Sequence, residues 1–185
     1  MILCGVDIET TGIEFSEGHK IIEIAIILAK LEDEKFNYLG KYVQRVNPER
    51  PIQAAAQEVH GISYGDLVAE PKWKAVAPKV AKILSKSDVY VAHNAAFDLP
   101  FIDHELHLVD EAVPAKNYIC TMEQSRWATV NGKSPSLKEL CFALDVEYDT
   151  SKAHAALYDV KVMMDCLERA LKYGFIRLDD HDSVY

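Results

Sequence analysis

The chain has 185 residues, of which 49% are hydrophobic and 26% charged, enough apolar material for one domain with its own core. Its net charge of −9 excludes a protein that coats nucleic acid or an anionic membrane by charge alone. No apolar run approaches the roughly 20 residues of a membrane-spanning helix, and the N-terminus lacks the basic region of a signal peptide, so we expect a cytoplasmic protein with no membrane partner.

The first part of the chain predicts three strands. Residues 1–7 are mostly apolar and precede a turn at Thr11 and Gly12. A strongly apolar second strand spans 20–31, and a third spans 36–46. Because the polar residues between these two predict a turn, they should form an antiparallel hairpin.

The rest of the chain alternates helices with short strands. Gly61 and Gly174 should end the first and last of these helices, and Pro100 should lie in the first turn of its own helix. Ser136 and Glu139 have the spacing of a capping box. Strands followed by mixed strands and helices predict an α/β domain with a mixed sheet. The predicted helices are 53–59, 71–84, 97–106, 121–128, 136–144 and 153–171, and the predicted strands are 88–92 and 118–120.

The chain shows no internal repeat and no linker rich in Gly, Ser or Pro. We therefore assign residues 1–174 to one domain and residues 175–185 to a short acidic tail. The four cysteines form no C-x-x-C pair, and we expect them to be reduced and buried.

Two acidic residues at the end of the first strand are the first sign of function. Asp7 and Glu9 are two positions apart, and strand side chains alternate, so both should face the same side of the sheet. Their repulsion would be offset by a divalent cation. Taken alone, the pair is better explained as a solvated strand end, because so short a motif is common.

Two further motifs lie at strand-to-helix junctions or helix starts. Asn94 and Asp98 follow the strand at 88–92, where capping would explain both. His154 and Asp159 begin the last helix, but residues five apart lie about 140° apart around a helix axis. We therefore expect His154 on the loop or first turn. Together the motifs place four carboxylates and a histidine where the sites of sheet proteins gather.

The sequence resembles the DnaQ-like 3′→5′ exonucleases, in the subgroup named for an Asp-Glu-Asp-Asp set plus a histidine. The resemblance extends in order over residues 1–172, nearly the whole chain. It implies a ribonuclease-H-like fold, in which helices flank a five-stranded mixed sheet. The matching segments are DIETTG at 7–12, HNAAFD at 93–98 and HAALYD at 154–159, with lesser signatures IEIA at 22–25 and VHGI at 59–62.

The resemblance also implies the reaction, a metal-dependent release of nucleoside 5′-monophosphates from DNA 3′ ends. Asp7, Glu9, Asp98 and Asp159 would hold two divalent cations, with Asp7 bridging them. Mg²⁺ or Mn²⁺ fits, because hard cations prefer oxygen ligands. His154 would be the general base that takes a proton from the attacking water.

The 3′-terminal nucleotide is expected to lie beside the first motif. Thr10 and Thr11 could offer N–H and hydroxyl groups to the 3′-OH, and Ile8 belongs to the same predicted surface. His60 could pack beside the nucleotide, although a helix-end role is a close rival. Phe97 could contact it too, although an aromatic residue in a first turn is usually part of the core.

Several other residues have competing interpretations. Glu23 could line or support the site, or occupy an exposed strand position. Asn94 is better explained as structural than as catalytic, and Trp73 as core. Trp127 could stack on a base, but we expect core packing. Lys133, Lys138 and Lys152 could meet the incoming strand, although a solvated surface is the default for them.

The expected partner is nucleic acid with a single-stranded or frayed 3′ end, with DNA favoured, and a polymerase or another replication or repair protein is possible. One alternative is a 3′→5′ exoribonuclease, because the motifs do not separate DNA from RNA. A second is a non-catalytic docking module of a replication complex, which would predict loss of carboxylates that are all present here. A two-metal phosphatase would need an Asp-x-Asp-x-Thr motif, which is absent.

Overall fold

A computed structural model describes residues 1–113 and 115–178 and contains a five-stranded mixed sheet in the order β3-β2-β1-β4-β5. The first three strands are antiparallel neighbours, whereas β4 and β5 run parallel to β1. The predicted α/β fold class and the predicted hairpin are therefore confirmed. The strands are β1 (Ile2–Thr10), β2 (Ile21–Glu32), β3 (Lys35–Arg45), β4 (Val89–Ala92) and β5 (Asn117–Cys120).

Helices cover both faces of this sheet, because its strands carry apolar side chains on each side. One core packs the sheet against α2 and α3, and the other packs it against α5 and α6. Along β1, Cys4, Val6 and Ile8 belong to the first core and Leu3 to the second. The helices are α1 (Ala54–His60), α2 (Trp73–Leu84), α3 (Ala95–His107), α4 (Thr121–Gln124), α5 (Leu137–Ala143) and α6 (Ala156–Lys172).

Gly5 on β1 lets α6 approach the sheet closely. A Cβ atom at this position would lie 2.8 Å from Sδ of Met164 and 3.0 Å from Cγ1 of Val160, both on α6. These distances are shorter than ordinary van der Waals contacts. The absence of a side chain at Gly5 therefore determines how near α6 lies to the strand that carries Asp7 and Glu9.

The structure corrects several predicted boundaries. β1 continues three residues beyond its predicted end, because its pairing with β2 continues through Thr10, with a register shift after Glu9. α3 begins two residues early, since the Asn94 carbonyl accepts hydrogen bonds from the amides of Phe97 (2.8 Å) and Asp98 (3.2 Å). Pro100 consequently lies in the second turn, and its predicted first-turn position is wrong. The predicted helix at 121–128 is the short α4 followed by a separate 3₁₀ turn at Arg126–Ala128.

Other local predictions are confirmed. Ser136 and Glu139 form the capping box at the start of α5, and Gly61 ends α1 with φ 70°. All four cysteines are free and buried. No helix among the described residues is long and apolar enough to cross a membrane.

The division into a domain and a tail stays a prediction. Ile176, placed in the tail by the sequence, is buried in the core beneath α6. Residues 179–185 of that tail lie outside the described residues.

Candidate active site

The four predicted carboxylates and the predicted histidine meet at one edge of the sheet. The parallel strands β1 and β4 both end at this edge, and α3 and α6 both begin there. These side chains line a single cavity of about 620 Å³. The residues are Asp7 and Glu9 on β1, Asp98 in the first turn of α3, Asp159 in the first turn of α6, and His154 on the turn before α6.

The strand geometry explains why Asp7 and Glu9 act together. Alternate β1 residues face α6, so the face that carries Leu3 and Gly5 continues to Asp7 and Glu9. Because β1 remains a strand through Thr10, both carboxylates keep this orientation. The extension of β1 beyond its predicted end is thus part of how the site is built.

Burial and mutual repulsion disfavour ionisation of these carboxylates. Burial is the largest cause at Asp7, and Asp98, Glu9 and Asp159 add to it, so the pKa of Asp7 lies well above its ordinary value. Burial also raises the pKa of Glu9 to about 8, helped by Asp159 and Glu23. Burial raises the pKa of Asp98 to about 7, although the backbone of Ile8 opposes this shift. A cation in this cavity would reverse the preference for the protonated forms.

Glu9, His154 and Asp159 are arranged so that they could share one ion. One ligand atom from each lies within 4.8 Å of the other two. Oδ2 of Asp159 accepts a hydrogen bond of 2.9 Å from the backbone N–H of His154. Its Oδ1 is buried with no hydrogen-bond partner. A buried carboxylate oxygen is rarely left unpaired in a folded protein, and a metal ion would provide the missing partner.

His154 lies on the turn, as expected, in an unusual backbone conformation. Its φ is 62°, in the left-handed region that side chains other than glycine seldom adopt. Its side chain is exposed, and a ring nitrogen lies within 4.8 Å of carboxylate oxygens of Glu9 and Asp159. A strained backbone of this kind persists only where surrounding contacts hold it, and the bond to Asp159 is one such contact.

Two further residues of this region had no firm role from the sequence. His93 lines the cavity and bridges its walls, with Nδ1 at 2.9 Å from Oγ1 of Thr121 and Nε2 at 3.1 Å from the Pro135 carbonyl. Because a carbonyl only accepts, Nε2 carries the proton, and burial lowers the pKa of His93 to about 4. Glu23 is buried, so the interpretation as an exposed strand position is wrong. Their motif positions were visible in the sequence, but their partners were not.

Some of the predicted substrate contacts line the cavity, whereas others use their polar groups in hydrogen bonds within the protein. Ile8 and Phe97 line the cavity beside the carboxylates. Thr10 and Thr11 use their hydroxyl groups within the loop that follows β1, on the carbonyl of Gly12 and on Nδ1 of His19. The amide of Thr11 also donates internally, to the Lys20 carbonyl at 2.9 Å.

His60 lies next to this loop at the end of α1. Its Nδ1 accepts a hydrogen bond of 3.0 Å from the amide of Ile62. Burial lowers the pKa of His60, the backbone of Thr10 and the charge of Glu23 raise it, and His154 lowers it. Because Thr10, Glu23 and His154 all affect its pKa, His60 lies beside the site. It does not line the described cavity.

The two tryptophans, Asn94 and three lysines had competing interpretations in the sequence. Trp73 is buried, as predicted, and its Nε1 donates to the Glu105 carbonyl at 2.7 Å. Trp127 is 41% exposed and packs on Phe175 at a ring-centroid distance of 4.7 Å, so the core prediction for it is wrong. Asn94 is the N-cap residue of α3, but its side chain makes no capping bond. Of the three lysines considered, Lys138 lines the cavity.

Comparisons with known proteins agree with this geometry. The profile of the family RNase_T, described as exonuclease, matches residues 4–167. DNA polymerase III subunit epsilon of Rickettsia prowazekii is 32% identical over 166 residues, covering 86% of this chain and 69% of that protein. The 3′-5′ exonuclease DinG of Bacillus subtilis is 32% identical over 157 residues, covering 85% of this chain and 16% of DinG. The structure of exonuclease X in complex with 5′ overhanging duplex DNA superposes with a TM-score of 0.68 at 26% identity, covering 96% of this chain and 95% of that one.

Proposed function

The chain belongs to the exonuclease family, in its DnaQ-like 3′→5′ branch as its motifs predicted, and on that premise we propose that it releases nucleoside 5′-monophosphates from DNA 3′ ends. The observation that carries the proposal is the convergence of four carboxylates and His154 in one cavity. This set suits phosphodiester hydrolysis, in which metal-bound oxygens and a base act on a single phosphate.

The donor set fits the divalent cations that this family uses. The ligands proposed for two Mg²⁺ or Mn²⁺ ions, Asp7, Glu9, Asp98 and Asp159, offer only oxygens, which hard cations prefer. The unpaired Oδ1 of Asp159 offers a free ligand atom, and burial raises the pKa values of Asp7, Glu9 and Asp98, a shift that a bound cation would reverse. When bound, such ions activate water, neutralise phosphate oxygens and stabilise the leaving 3′ oxygen.

His154 is suited to act as the general base. Its imidazole lies near the oxygens of Glu9 and Asp159, where a water molecule held at the site would present its proton. Because the side chain is exposed, the proton can then pass to bulk solvent. The hydrogen bond from its amide to Asp159 ties the position of the base to that of a proposed metal ligand.

The terminal nucleotide would be held by the apolar part of the cavity. We propose that Ile8 and Phe97 contact its sugar and base, with His60 at the adjoining edge. Thr10 and Thr11 are buried, and their hydroxyls already bond within the protein, so we propose that they fix the end of β1 beside the 3′-OH and do not contact it through these groups.

DNA is favoured over RNA because the named relatives include subunits of DNA polymerase III, and a structural neighbour was solved with duplex DNA. We propose a single-stranded or frayed 3′ end as the substrate and a polymerase or other replication protein as a partner. The exoribonuclease alternative and the cytoplasmic location stay predictions.

A labelling experiment tests the proposal. Single strands of DNA and RNA, labelled at either end, are incubated with Mg²⁺, Mn²⁺ or EDTA, and Asp7→Asn purified in parallel serves as the control for contaminating nucleases. DNA labelled at its 3′ end should release the label first, as a mononucleotide. DNA labelled at its 5′ end should give a ladder of progressively shorter products. Both results should require metal and intact Asp7. Release from the 5′ end, or no metal-dependent cleavage, would refute the proposal, and faster cleavage of RNA would favour the exoribonuclease.

A further inference from the structure

Glu23 is a fifth carboxylate beside the site, buried behind Glu9 and outside the set that the motifs assign to metal. It lies on β2, directly opposite Glu9 of β1 and directly opposite Arg45 of β3. Directly paired residues of neighbouring strands project from the same face, and this is the face that α6 covers. A buried glutamate facing another carboxylate destabilises a sheet unless other contacts offset the repulsion.

Both oxygens of Glu23 are already engaged by partners within the protein. Oε2 accepts a hydrogen bond of 3.0 Å from Nε of Arg45, which neutralises the charge. Oε1 accepts a hydrogen bond of 3.3 Å from the backbone amide of Ala156. This pattern differs from that of Asp159, whose Oδ1 is buried and unpaired, so Glu23 is not arranged as a metal ligand.

The contact with Ala156 replaces a cap that the sequence does not supply. Ala156 is the first residue of α6, and the preceding N-cap residue, Ala155, has no side-chain oxygen to accept from the helix amides. Ala156 is completely buried, so water does not satisfy its amide. The carboxylate of Glu23 also interacts favourably with the positive end of the helix dipole.

The capped amide lies between the two functional residues of the third motif. His154 is two positions before Ala156, and Asp159 is three positions after it. We propose that Glu23, reaching across from β2, is a positioning residue that fixes the start of α6 and thereby sets His154 and Asp159 opposite Glu9. This inference rests on the proposed exonuclease function.

The test compares Glu23→Ala, Glu23→Gln and the control Glu32→Gln, which changes an exposed glutamate on the same strand. Steady-state hydrolysis of the p-nitrophenyl ester of thymidine 5′-monophosphate gives kcat, KM and the Mn²⁺ concentration for half-activation. Glu23→Ala should lower kcat about tenfold or more, with KM and half-activation within twofold of wild type. Glu23→Gln should recover part of the loss, because its amide oxygen can still accept from Ala156 while Arg45 turns to solvent. Glu32→Gln should match wild type.

Amide hydrogen exchange in EDTA provides a readout that does not depend on activity. The Ala156 amide should exchange at least tenfold faster in Glu23→Ala than in wild type, with an intermediate rate in Glu23→Gln. If the alanine variant does not fold, the glutamine variant alone should show both effects in smaller size.

Three results would overturn the assignment. The first is a kcat within twofold of wild type in the folded alanine variant, or in the glutamine variant if the alanine variant does not fold. The second is equal loss in both variants, which would assign the effect to charge alone. The third is a Mn²⁺ half-activation shifted more than threefold, which would make Glu23 a metal ligand. If wild type does not hydrolyse the ester, the same kinetics are measured on 5′-labelled DNA. Failure on DNA as well would refute the proposed function, while the exchange rates would still report on the cap.

Discussion

At the scale of single residues, the buried carboxylates of the site lower the free energy of unfolding of the metal-free protein, and the same carboxylates enable it to bind cations. Asp98 is almost fully buried, and its pKa of about 7 lies above the value near 3.9 of an unfolded chain. A group with a raised folded pKa stabilises the fold below its unfolded pKa, and this contribution is lost as the pH rises through the folded value. The metal-free protein should therefore lose stability between about pH 4 and pH 7.

The variant Asp98→Asn tests this pH dependence of stability directly. Asparagine does not titrate, so in EDTA the variant should lose less stability between pH 5 and pH 8 than wild type, by on the order of a few kcal/mol. The same variant should have no measurable nuclease activity. Urea unfolding at both pH values measures the difference, and addition of Mg²⁺ at pH 8 should stabilise wild type more than the variant. A parallel decline of both proteins would contradict the prediction.

His154→Ala tests the proposed base. General-base catalysis commonly contributes about 10²- to 10⁴-fold, so kcat should fall at least about 10²-fold while KM stays within a fewfold of wild type. Lys152→Ala is a matched control, because Lys152 lies on the same turn and its side chain pairs with Asp149 at 2.9 Å. Equal turnover of His154→Ala and wild type at saturating metal would exclude the role.

At the scale of secondary-structure elements, the site depends on how closely α6 packs against β1. α6 brings Asp159 to the edge where β1 ends, and Gly5 lies beneath Met164 and Val160 of that helix. These side chains are completely buried and have little space into which to move. A small displacement of α6 therefore changes the separation between Asp159 and the carboxylates of β1.

Gly5→Ala should destabilise the protein by about 1–3 kcal/mol, as overpacking of a core commonly does, and should lower kcat by displacing α6. Gly40→Ala is the matched control, since Gly40 also lies in a strand but a Cβ there would meet nothing within 4 Å. Thermal unfolding and steady-state kinetics are measured for both variants. Loss of activity in Gly40→Ala to the same degree would show that the close approach of α6 is not the cause.

Local patterns predicted what depends on neighbours in sequence. The polar turn between the second and third strands predicted the antiparallel hairpin, and the spacing of Ser136 and Glu139 predicted their capping box. The order of the three motifs predicted the family. The hairpin turn, the capping box and each single motif are contained in short stretches of chain, and the motifs could be recognised together because they follow one another in a fixed order.

Contacts between distant residues account for what the sequence did not predict. Glu23 and Ala156 are 133 positions apart, and no local pattern pairs them. Trp127 lies on the 3₁₀ turn after the early end of α4, outside the core, and its ring packs on Phe175, which lies far along the chain. The position of Pro100 was wrong for a local reason, because the backbone carbonyl of Asn94, which carries no side-chain signal, begins α3 early.

At the scale of the whole molecule, the acidic charge limits how the protein can hold a nucleic acid. The net charge is −9, and of the lysines near the third motif, Lys133 and Lys152 face acidic partners, Glu139 and Asp149. Few cations therefore remain near the cavity to follow a phosphate backbone. Tight binding to long DNA normally rests on many lysine and arginine contacts with phosphates, so the isolated chain should contact only a short stretch at the 3′ end.

A short footprint predicts distributive digestion. With labelled single-stranded DNA in large excess over protein, early products should be shortened by one or a few nucleotides, because the protein dissociates between cuts. A trap of unlabelled DNA added after binding should stop further shortening almost at once. The dependence of kcat/KM on salt should also be shallow, since few counterions are released when few phosphates are contacted. Extensive shortening of each bound strand that continues in the presence of the trap would show that the chain holds DNA through a surface that its charge distribution does not reveal.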